Sequence, residues 1–303
     1  MNEIETIERL RRKVPSLKGA GVVLGIGDDC AIYRMRGARE DLLLTTDLVL
    51  EDVHFRRDSH RASALGHKAL ARGLSDIAAM GGEPRFCLVS LALGEWCDRK
   101  WLDSFYRGLL KLARRTGTLL AGGDLATSEK VACDIVVCGG VPRGTALRRD
   151  GARAGDPIYV SGSLGASALG LDTRRGAAWK RHLQPEPRLA LGRFLRTRLR
   201  ATACMDLSDG LSIDLHRLCL ASGAGAALDD VLPVFPGAEL VHALHGGEDY
   251  ELLFTVRSGT RVPASHAGIP LTRIGVIAAG NPGDVTLFGK YLPPLGWDHF
   301  RKP

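Results

Sequence analysis

Six short segments of this chain set carboxylates beside glycines or hydroxyls: Gly25-Ile26-Gly27-Asp28-Asp29, Thr45-Thr46-Asp47, Ser75-Asp76, Gly122-Gly123-Asp124, Asp206-Leu207-Ser208-Asp209-Gly210 and Gly246-Gly247-Glu248-Asp249. Any one Gly-Asp pair reads most simply as a turn. Six of them in one chain ask for a common explanation. If they converge in a partly dry cleft, their mutual repulsion is prohibitive unless hard cations neutralise it, and all-oxygen donors select Mg2+ over zinc or copper. Mg2+ in turn implies phosphates, and glycine lets backbone N–H groups approach a phosphate closely or adopt φ > 0.

The familiar nucleotide loops do not explain these segments. Gly25-Ile26-Gly27 is followed by two acids instead of completing G-x-G-x-x-G, and no G-x-x-x-x-G-K-[ST] occurs. No H-R-D loop, D-F-G triplet or G-x-S-x-G elbow is present either.

The acids must be positioned by mixed helices and strands. Ile4, Ile7 and Leu10 give helical spacing over 2–13, while Asp41–Asp47 and Phe86–Leu93 are short apolar runs that read as strands. Helices are expected over 61–80 and near 98–115, followed by strands at 118–121 and 131–138. Gly139-Gly140-Val141-Pro142-Arg143-Gly144 then breaks the pattern and marks a domain junction. Beyond it, a strand at 157–160 restarts the chain. Helices near 165–171, 186–200 and 208–222 and strands near 226–229, 250–256 and 272–277 complete an α/β (α+β) reading.

At 303 residues, with 45% hydrophobic and 25% charged residues, two globular domains are expected. No apolar run is long enough to span a membrane, and Met1-Asn2-Glu3-Ile4-Glu5 lacks the basic and apolar regions of a secretory signal, so a cytoplasmic protein is expected. The seven cysteines form no C-x-x-C pair and read as buried free thiols. A formal charge of +7 fits anionic small molecules as well as nucleic acid. The run Arg188, Arg193, Arg196, Arg198 and Arg200 reads as the solvated face of one helix. The absence of aromatic stacking motifs and the abundance of clustered acids argue against a nucleic-acid module.

The order and spacing of the segments resemble the thiamine-monophosphate kinase family, in the superfamily of aminoimidazole-ribonucleotide synthetase and selenophosphate synthetase. The residues that carry this, over nearly the whole chain, are Gly25-Ile-Gly-Asp-Asp-Cys-Ala31, Thr45-Thr-Asp47, Val53-His-Phe55, Lys68-Ala-Leu-Ala71, Leu74-Ser-Asp-Ile-Ala-Ala-Met-Gly81, Gly122-Gly-Asp124, His182-Leu-Gln-Pro-Glu-Pro-Arg188, Asp206-Leu-Ser-Asp-Gly-Leu211, Gly247-Glu-Asp-Tyr-Glu251 and Trp297-Asp-His-Phe300. The resemblance implies an N-terminal ATP/Mg2+-binding and dimerisation domain over 1–145, a C-terminal domain over 146–303 that completes the site, and a homodimer. The implied reaction uses ATP and several Mg2+ to convert thiamine monophosphate into the diphosphate. It further implies Mg2+ ligands at Asp29, Thr45, Thr46, Asp47, Asp76, Asp124, Asp206 and Asp209. ATP contacts are implied at Gly123, Asp124, Arg149 and Ser208, and thiamine contacts at His54, Glu248 and Trp297. Four positions depart from the family pattern: Leu125 stands where Thr is common, His245 where Ser is, Asp52 where glycine is and Trp297 where Tyr is.

The implied chemistry needs no catalytic base, because the acceptor is already a phosphate anion. Two polyanions must be aligned and their charge cancelled, by carboxylate-held Mg2+ and cations such as Arg149. An indole at Trp297 suits the cationic thiazolium, and an acid at Glu248 suits the aminopyrimidine or the positive charge. Without the resemblance, His54 reads as a half-buried strand histidine and Trp297 as a residue capping a core. Against selenophosphate chemistry, no Cys-rich reactive segment precedes Gly25; against the purine enzyme, His54 and the Trp297-Asp-His-Phe300 ending favour the thiamine kinase pattern.

Overall fold

The computed structural model describes residues 3–14 and 20–299, so Phe300 of the C-terminal motif lies outside the described residues. The first half contains α1 (Glu3–Lys13), β1 (Val22–Leu24), β2 (Ala31–Tyr33), β3 (Glu40–Leu50), α2 (Ala62–Ala79), β4 (Glu83–Gly94), α3 (Arg99–Thr116), β5 (Leu119–Ser128) and β6 (Ala132–Pro142). Its strands form a six-stranded sheet in the order β1-β2-β3-β6-β4-β5. All neighbours are antiparallel except β4 and β5. That parallel pair needs a crossover, and α3 supplies it. The side chain of Asp98 accepts from Trp101 N at 2.7 Å to start α3, and Gly117, at φ 70°, ends it.

After a single turn of 3-10 helix at Arg149–Gly151 come β7 (Pro157–Ser161), α4 (Ala166–Thr173), α5 (Gly176–Leu183), α6 (Leu189–Phe194), β8 (Ala203–Asp206), α7 (Leu211–Ser222) and β9 (Gly225–Leu228). They are followed by α8 (Leu240–His245), β10 (Leu252–Thr255), β11 (Ser265–His266), β12 (Ile269–Ala278), β13 (Val285–Leu287) and β14 (Lys290–Tyr291). The second sheet has eight strands, with β14-β13-β9-β12-β7-β10-β8 in order and β11 paired to β12. The mixed α/β class expected from the sequence is the class observed.

Packing explains α2. Its alanines and leucines are buried along nearly the whole helix, because one side covers the first sheet, another meets α3, and a third meets α6 and β8. Gly66 and Gly108 let α2 and α3 approach closely: a Cβ at Gly66 would sit 2.0 Å from Phe105 O. One apolar cluster lies under the first sheet and a second under the other. A third, with Ala78, Ala79, Leu191, Leu195, Cys204 and Phe254, joins the two halves.

The helix expected over 186–200 is divided. The α6 segment ends at Phe194 and gives way to a wider π-helical turn over Leu195–Leu199, and its basic run is not one solvated face. Arg188 is buried on Glu251 with Nε 2.7 Å from Oε2, and Arg196 Nε donates to Gly81 O at 2.8 Å. The elements α5, α8, β1, β2, β8, β11, β13 and β14 had no counterpart in the sequence reading. All seven cysteines are free; six are buried and Cys97 is half-buried. No helix among the described residues is long and apolar enough to cross a membrane.

Candidate active site

Two elements aim most of the side chains. On α2, Lys68, Arg72 and Asp76 recur every four residues, with Ser75 beside Asp76, and so form one polar stripe on an otherwise apolar helix. On β3, alternation sends Thr45 and Asp47 to the face that α2 covers and Thr46 to the other face.

Carboxylate oxygens of Asp29, Asp76 and Asp206 all lie within 4.8 Å of one another. Thr45 Oγ1 donates to Asp76 Oδ2 at 2.5 Å and Ser75 Oγ donates to Asp206 Oδ2 at 2.6 Å. The Arg149 guanidinium pairs with Asp29, and its backbone N–H reaches Asp28 Oδ2 at 3.2 Å. Burial, reinforced by neighbouring carboxylates, pushes Asp76 and Asp206 well above the usual carboxylate range. Burial, then Asp29, raises Asp28 to about 7. Asp29 Oδ2 is buried without a partner. A dry, crowded, all-oxygen set with an orphaned acceptor is the donor chemistry of a hard divalent cation.

Asp76 and Asp206 open into a cleft of about 840 Å³, whose wall also holds Asp47, His54, Glu248 and Trp297. Asp47 Oδ1 accepts from Arg72 Nη2 at 3.1 Å. Glu248, at φ 65°, is held by its backbone N–H on Ser208 O at 2.7 Å and by Lys68 Nζ on Oε2 at 2.7 Å. Although burial opposes its ionisation, Lys68 and then His182 hold it down at about 2. Its Oε1 is buried and unpartnered. His54 stays neutral, lowered to about 3 by burial and by Arg72. The ring of Trp297 is 49% exposed, which removes the core-capping reading, and it meets His299 edge-on with centroids 5.6 Å apart.

Other expected residues sit apart from the carboxylate trio. Thr46 lies on the outer sheet face, where its Oγ1 donates to Asp134 at 2.7 Å. Asp124 shares that face, since it pairs laterally with Ser90, which in turn pairs with Asp134. Within one chain, the sheet therefore separates Thr46 Oγ1 and the Asp124 carboxylate from Asp29, Asp76 and Asp206. Gly123 is required by packing, since a Cβ there would lie 1.9 Å from Val89 O. Asp209 lines the cleft but is paired with Arg217. Asp249, grouped with the acidic loops above, instead accepts from Gly165 N at 2.6 Å and Ser167 N at 3.2 Å, and so caps α4.

The departures acquire physical reasons. Asp52 has φ 68°, the left-handed region that favours glycine, and pairs with Lys130 at 3.0 Å. His245 Nδ1 lies 2.7 Å from Ser212 Oγ at the cleft wall. Leu125 is exposed beside Asp124 on β5.

Sequence reasoning assigned no role to Lys68, Arg72, Ser75, His182 or His299. The i, i+4, i+8 spacing of Lys68, Arg72 and Asp76 in an apolar helix was the signal available for the first two.

Comparison with known proteins gives a consistent assignment. Residues 27–141 match the family described as AIR synthase related protein, N-terminal domain. The chain is similar to thiamine-monophosphate kinase of Salmonella typhimurium, 39% identical over 93% of both chains. It is also similar to that of Bacillus subtilis, 32% identical over 99% of this chain and 100% of the other. Among solved structures, AaThiL complexed with AMPPCP and TMP superposes with a TM-score of 0.86 at 32% identity, covering 99% of this chain and 97% of that one. Thiamine-monophosphate kinase from Stenotrophomonas maltophilia superposes at 0.78 with 36% identity, covering 96% and 98%. At 39% identity to a curated relative along 93% of its length, and with the same fold, this chain belongs to the thiamine-monophosphate kinase family.

Proposed function

We propose that the chain transfers the γ-phosphoryl group of ATP to the phosphate of thiamine monophosphate, releasing ADP and thiamine diphosphate. The observation that carries this reading is one cleft that contains both a convergent carboxylate set, Asp76 and Asp206 with Asp29 behind them, and a half-buried acid with one unpartnered oxygen, Glu248, near an exposed indole, Trp297. The first suits two polyphosphates bridged by hard cations, and the second suits a cationic ring.

Mg2+ fits the donor set of Asp29, Asp76 and Asp206, with Asp47 as a further carboxylate at the cleft wall. When bound, it would neutralise the phosphate charge that otherwise repels the attacking oxygen. The protein's own residues supply alignment. Thr45 and Ser75 fix the orientation of Asp76 and Asp206, Arg149 is the cation nearest Asp29, and Ser208 lines the cleft beside Asp209. An oxygen of the acceptor phosphate attacks the γ-phosphorus while the bond to the β-bridging oxygen breaks. No side chain needs to remove a proton.

The reading includes a homodimer. The outer face of the first sheet carries Leu48, 48% exposed, and Leu88, 37% exposed, around Thr46 and Asp124. Pairing of two such faces would cover this apolar surface and bring Gly123 and Asp124 to a shared boundary. It also includes a cytoplasmic setting, which ATP as donor and seven free thiols support.

Incubation with ATP, Mg2+ and thiamine monophosphate, followed by chromatography, tests the proposal. Equal amounts of ADP and thiamine diphosphate are expected, and neither with EDTA present. ADP formation without thiamine diphosphate would overturn it.

A further inference from the structure

Behind Glu248 lies a polar network that the reaction chemistry does not call for. Lys68 is buried to 1% exposure in the middle of α2, and its Nζ stands 2.7 Å from Glu248 Oε2 and 3.4 Å from His182 Nε2. His182 is equally buried on α5, stacked on Trp179 with ring centroids 5.0 Å apart. Its Nδ1 is 2.8 Å from Ser167 Oγ and 3.4 Å from Glu248 Oε2. His60 completes the network, with Nε2 3.1 Å from His182 Nε2.

The proton positions follow from the partners. His60 Nδ1 lies 3.2 Å from both the backbone N and the backbone O of Arg56 and 3.1 Å from Ser59 Oγ, and its Nε2 faces His182 Nε2. Lys68 can only donate, and it points at the same nitrogen. His182 therefore accepts at Nε2 and carries its proton on Nδ1, facing Ser167 and Glu248. Burial and Lys68 keep both rings neutral, with His182 lowered to about 3 and His60 to about 4. Every donor in this network points, directly or through His182, at one oxygen of one carboxylate. The other oxygen, Oε1, has no partner.

We infer that Lys68, braced by His182 and His60, is the positioning residue for acceptor recognition: it holds Oε2 of Glu248 so that this half-buried carboxylate, its Oε1 spent on no other partner, keeps its charge at the cleft wall for the cationic ring of the acceptor. This rests on the function proposed above and deepens it. A buried ammonium on a half-buried carboxylate would otherwise form a closed pair of little value to stability. Here the pair is left one acceptor short, at the wall of the cleft.

The groups facing Glu248 are Lys68 and Arg72 from α2, His182 from α5, His54 and His60 from the segment after β3, and Tyr250 beside it. Removing Lys68 leaves a half-buried carboxylate that takes up a proton more readily, so recognition should become pH-dependent. The carboxylate is the binding form, and the defect should therefore shrink as pH rises.

The test compares wild type, Lys68→Met, Glu248→Gln, the double variant and His182→Gln. It uses steady-state kinetics with each substrate varied and calorimetric binding of thiamine monophosphate in the absence of ATP. Lys68→Met should raise the KM for thiamine monophosphate about tenfold or more, leave that for ATP unchanged, and lose less affinity at about pH 9 than at about pH 6.5, relative to wild type. The double variant should be no worse than Glu248→Gln alone. Equal changes for both substrates, or additive losses in the double variant, would overturn the inference. If Lys68→Met does not fold, His182→Gln carries the test: a rise of about threefold in the acceptor KM alone supports the inference, and an unchanged acceptor KM in folded protein overturns it. A wild-type protein that binds ATP but neither binds nor phosphorylates thiamine monophosphate would remove the functional reading itself. Active wild type with unaltered variants would remove only this inference.

Discussion

Ser75 Oγ donates to Asp206 Oδ2 across 2.6 Å, joining α2 of one half to the β8 edge of the other sheet at a single carboxylate. Asp76, the next residue on α2, faces Asp206 from the same helical turn. The proposed divalent-cation site thus depends on α2 meeting β8, with Asp29 from the segment before β2 as its third carboxylate.

Asp76→Asn and Asp206→Asn should each lower kcat/KM by about a hundredfold or more, close to 3 kcal/mol, since each removes a charge that holds cation against phosphate. The opposite effect is expected for stability. Without metal, Asp76→Asn relieves burial of a crowded carboxylate and keeps an oxygen for Thr45, so its melting temperature in EDTA should exceed that of wild type. Kinetics over a Mg2+ series and calorimetric melts check the two halves; turnover near wild type at modest Mg2+ would exclude the shared-cation arrangement.

Trp297→Ala should raise the KM for thiamine monophosphate by about 1 to 2 kcal/mol, the scale of a desolvated cation–π contact, with little change for ATP. Its backbone remains tethered through the 2.9 Å bond from Trp297 N to Asp209 O, so the loss reports on the ring. Trp297→Phe should recover part of it. Steady-state kinetics with each substrate varied decides, and equal losses for both substrates would assign the ring a supporting role.

The neutral histidines set a pH dependence of stability. His54 and His182 titrate near 3 in the folded chain and His60 near 4, all below the ordinary 6.5. The unfolded chain takes up these protons first, so stability from keeping the rings neutral is present above about 6.5 and is lost as pH falls toward 3. Urea unfolding at pH 7.5 and pH 5 (~ values on either side of the ordinary histidine pKa) should show this loss, and His182→Gln should flatten it. A slope unchanged by that substitution would place the dependence elsewhere.

Arg188 and Arg193 provide a contrast within one basic run. Arg188→Ala leaves the buried Glu251 with Ser161 and the more distant, partly exposed Arg181 at 3.7 Å, and should lose about 3 kcal/mol of stability. Arg193 reaches the exposed Glu83 at 3.5 Å, and Arg193→Ala should change stability by less than about 1 kcal/mol. Denaturant midpoints measure both, and comparable losses would mean that Arg188 contributes no more than a surface charge.

The proposed pairing of outer sheet faces gives a final expectation. Leu48→Glu with Leu88→Glu puts charge on an exposed apolar face without touching either core. Sedimentation should show wild type as a dimer and the variant as a monomer, with ATP affinity weakened. A wild-type monomer with full activity would remove the homodimer from the proposal.

The residues show why parts of this architecture were readable and others were not. Asp29, Asp76 and Asp206 announce themselves as acids in glycine- or hydroxyl-bearing segments at element ends. The Thr45-Thr46-Asp47 triplet looked like a single ligand group, although strand alternation places Thr46 against Asp134 on the opposite face. Gly123 reads from sequence as a phosphate-approach glycine, and the close approach of β4 requires a glycine there independently of any ligand. Asp249 and Glu248 are adjacent, yet one caps a helix and the other faces a cleft, a distinction set by tertiary partners. The break of 186–200 into two helical forms depends on Arg188 and Arg196 reaching inward, which composition alone does not show. Short elements such as α5 and α8 carry too few residues for periodicity to register.

The stripe on α2 gives the enzyme a yardstick. Lys68, paired with the acid proposed to meet the ring, and Asp76, proposed to hold the phosphate-side cation, are eight residues apart on one rigid rod, and a rise of about 1.5 Å per residue separates them by roughly 12 Å along its axis. Because α2 is enclosed on three sides, that spacing cannot stretch to suit a different acceptor. Under the proposed function, selection would then be exercised on length as well as charge, the span from the cationic ring of the acceptor to its phosphate being set against two turns of helix and a fraction. A one-residue insertion between Lys68 and Asp76 would swing the two ends about 100° apart around the axis, disconnecting recognition from transfer while leaving both sets of side chains in the chain.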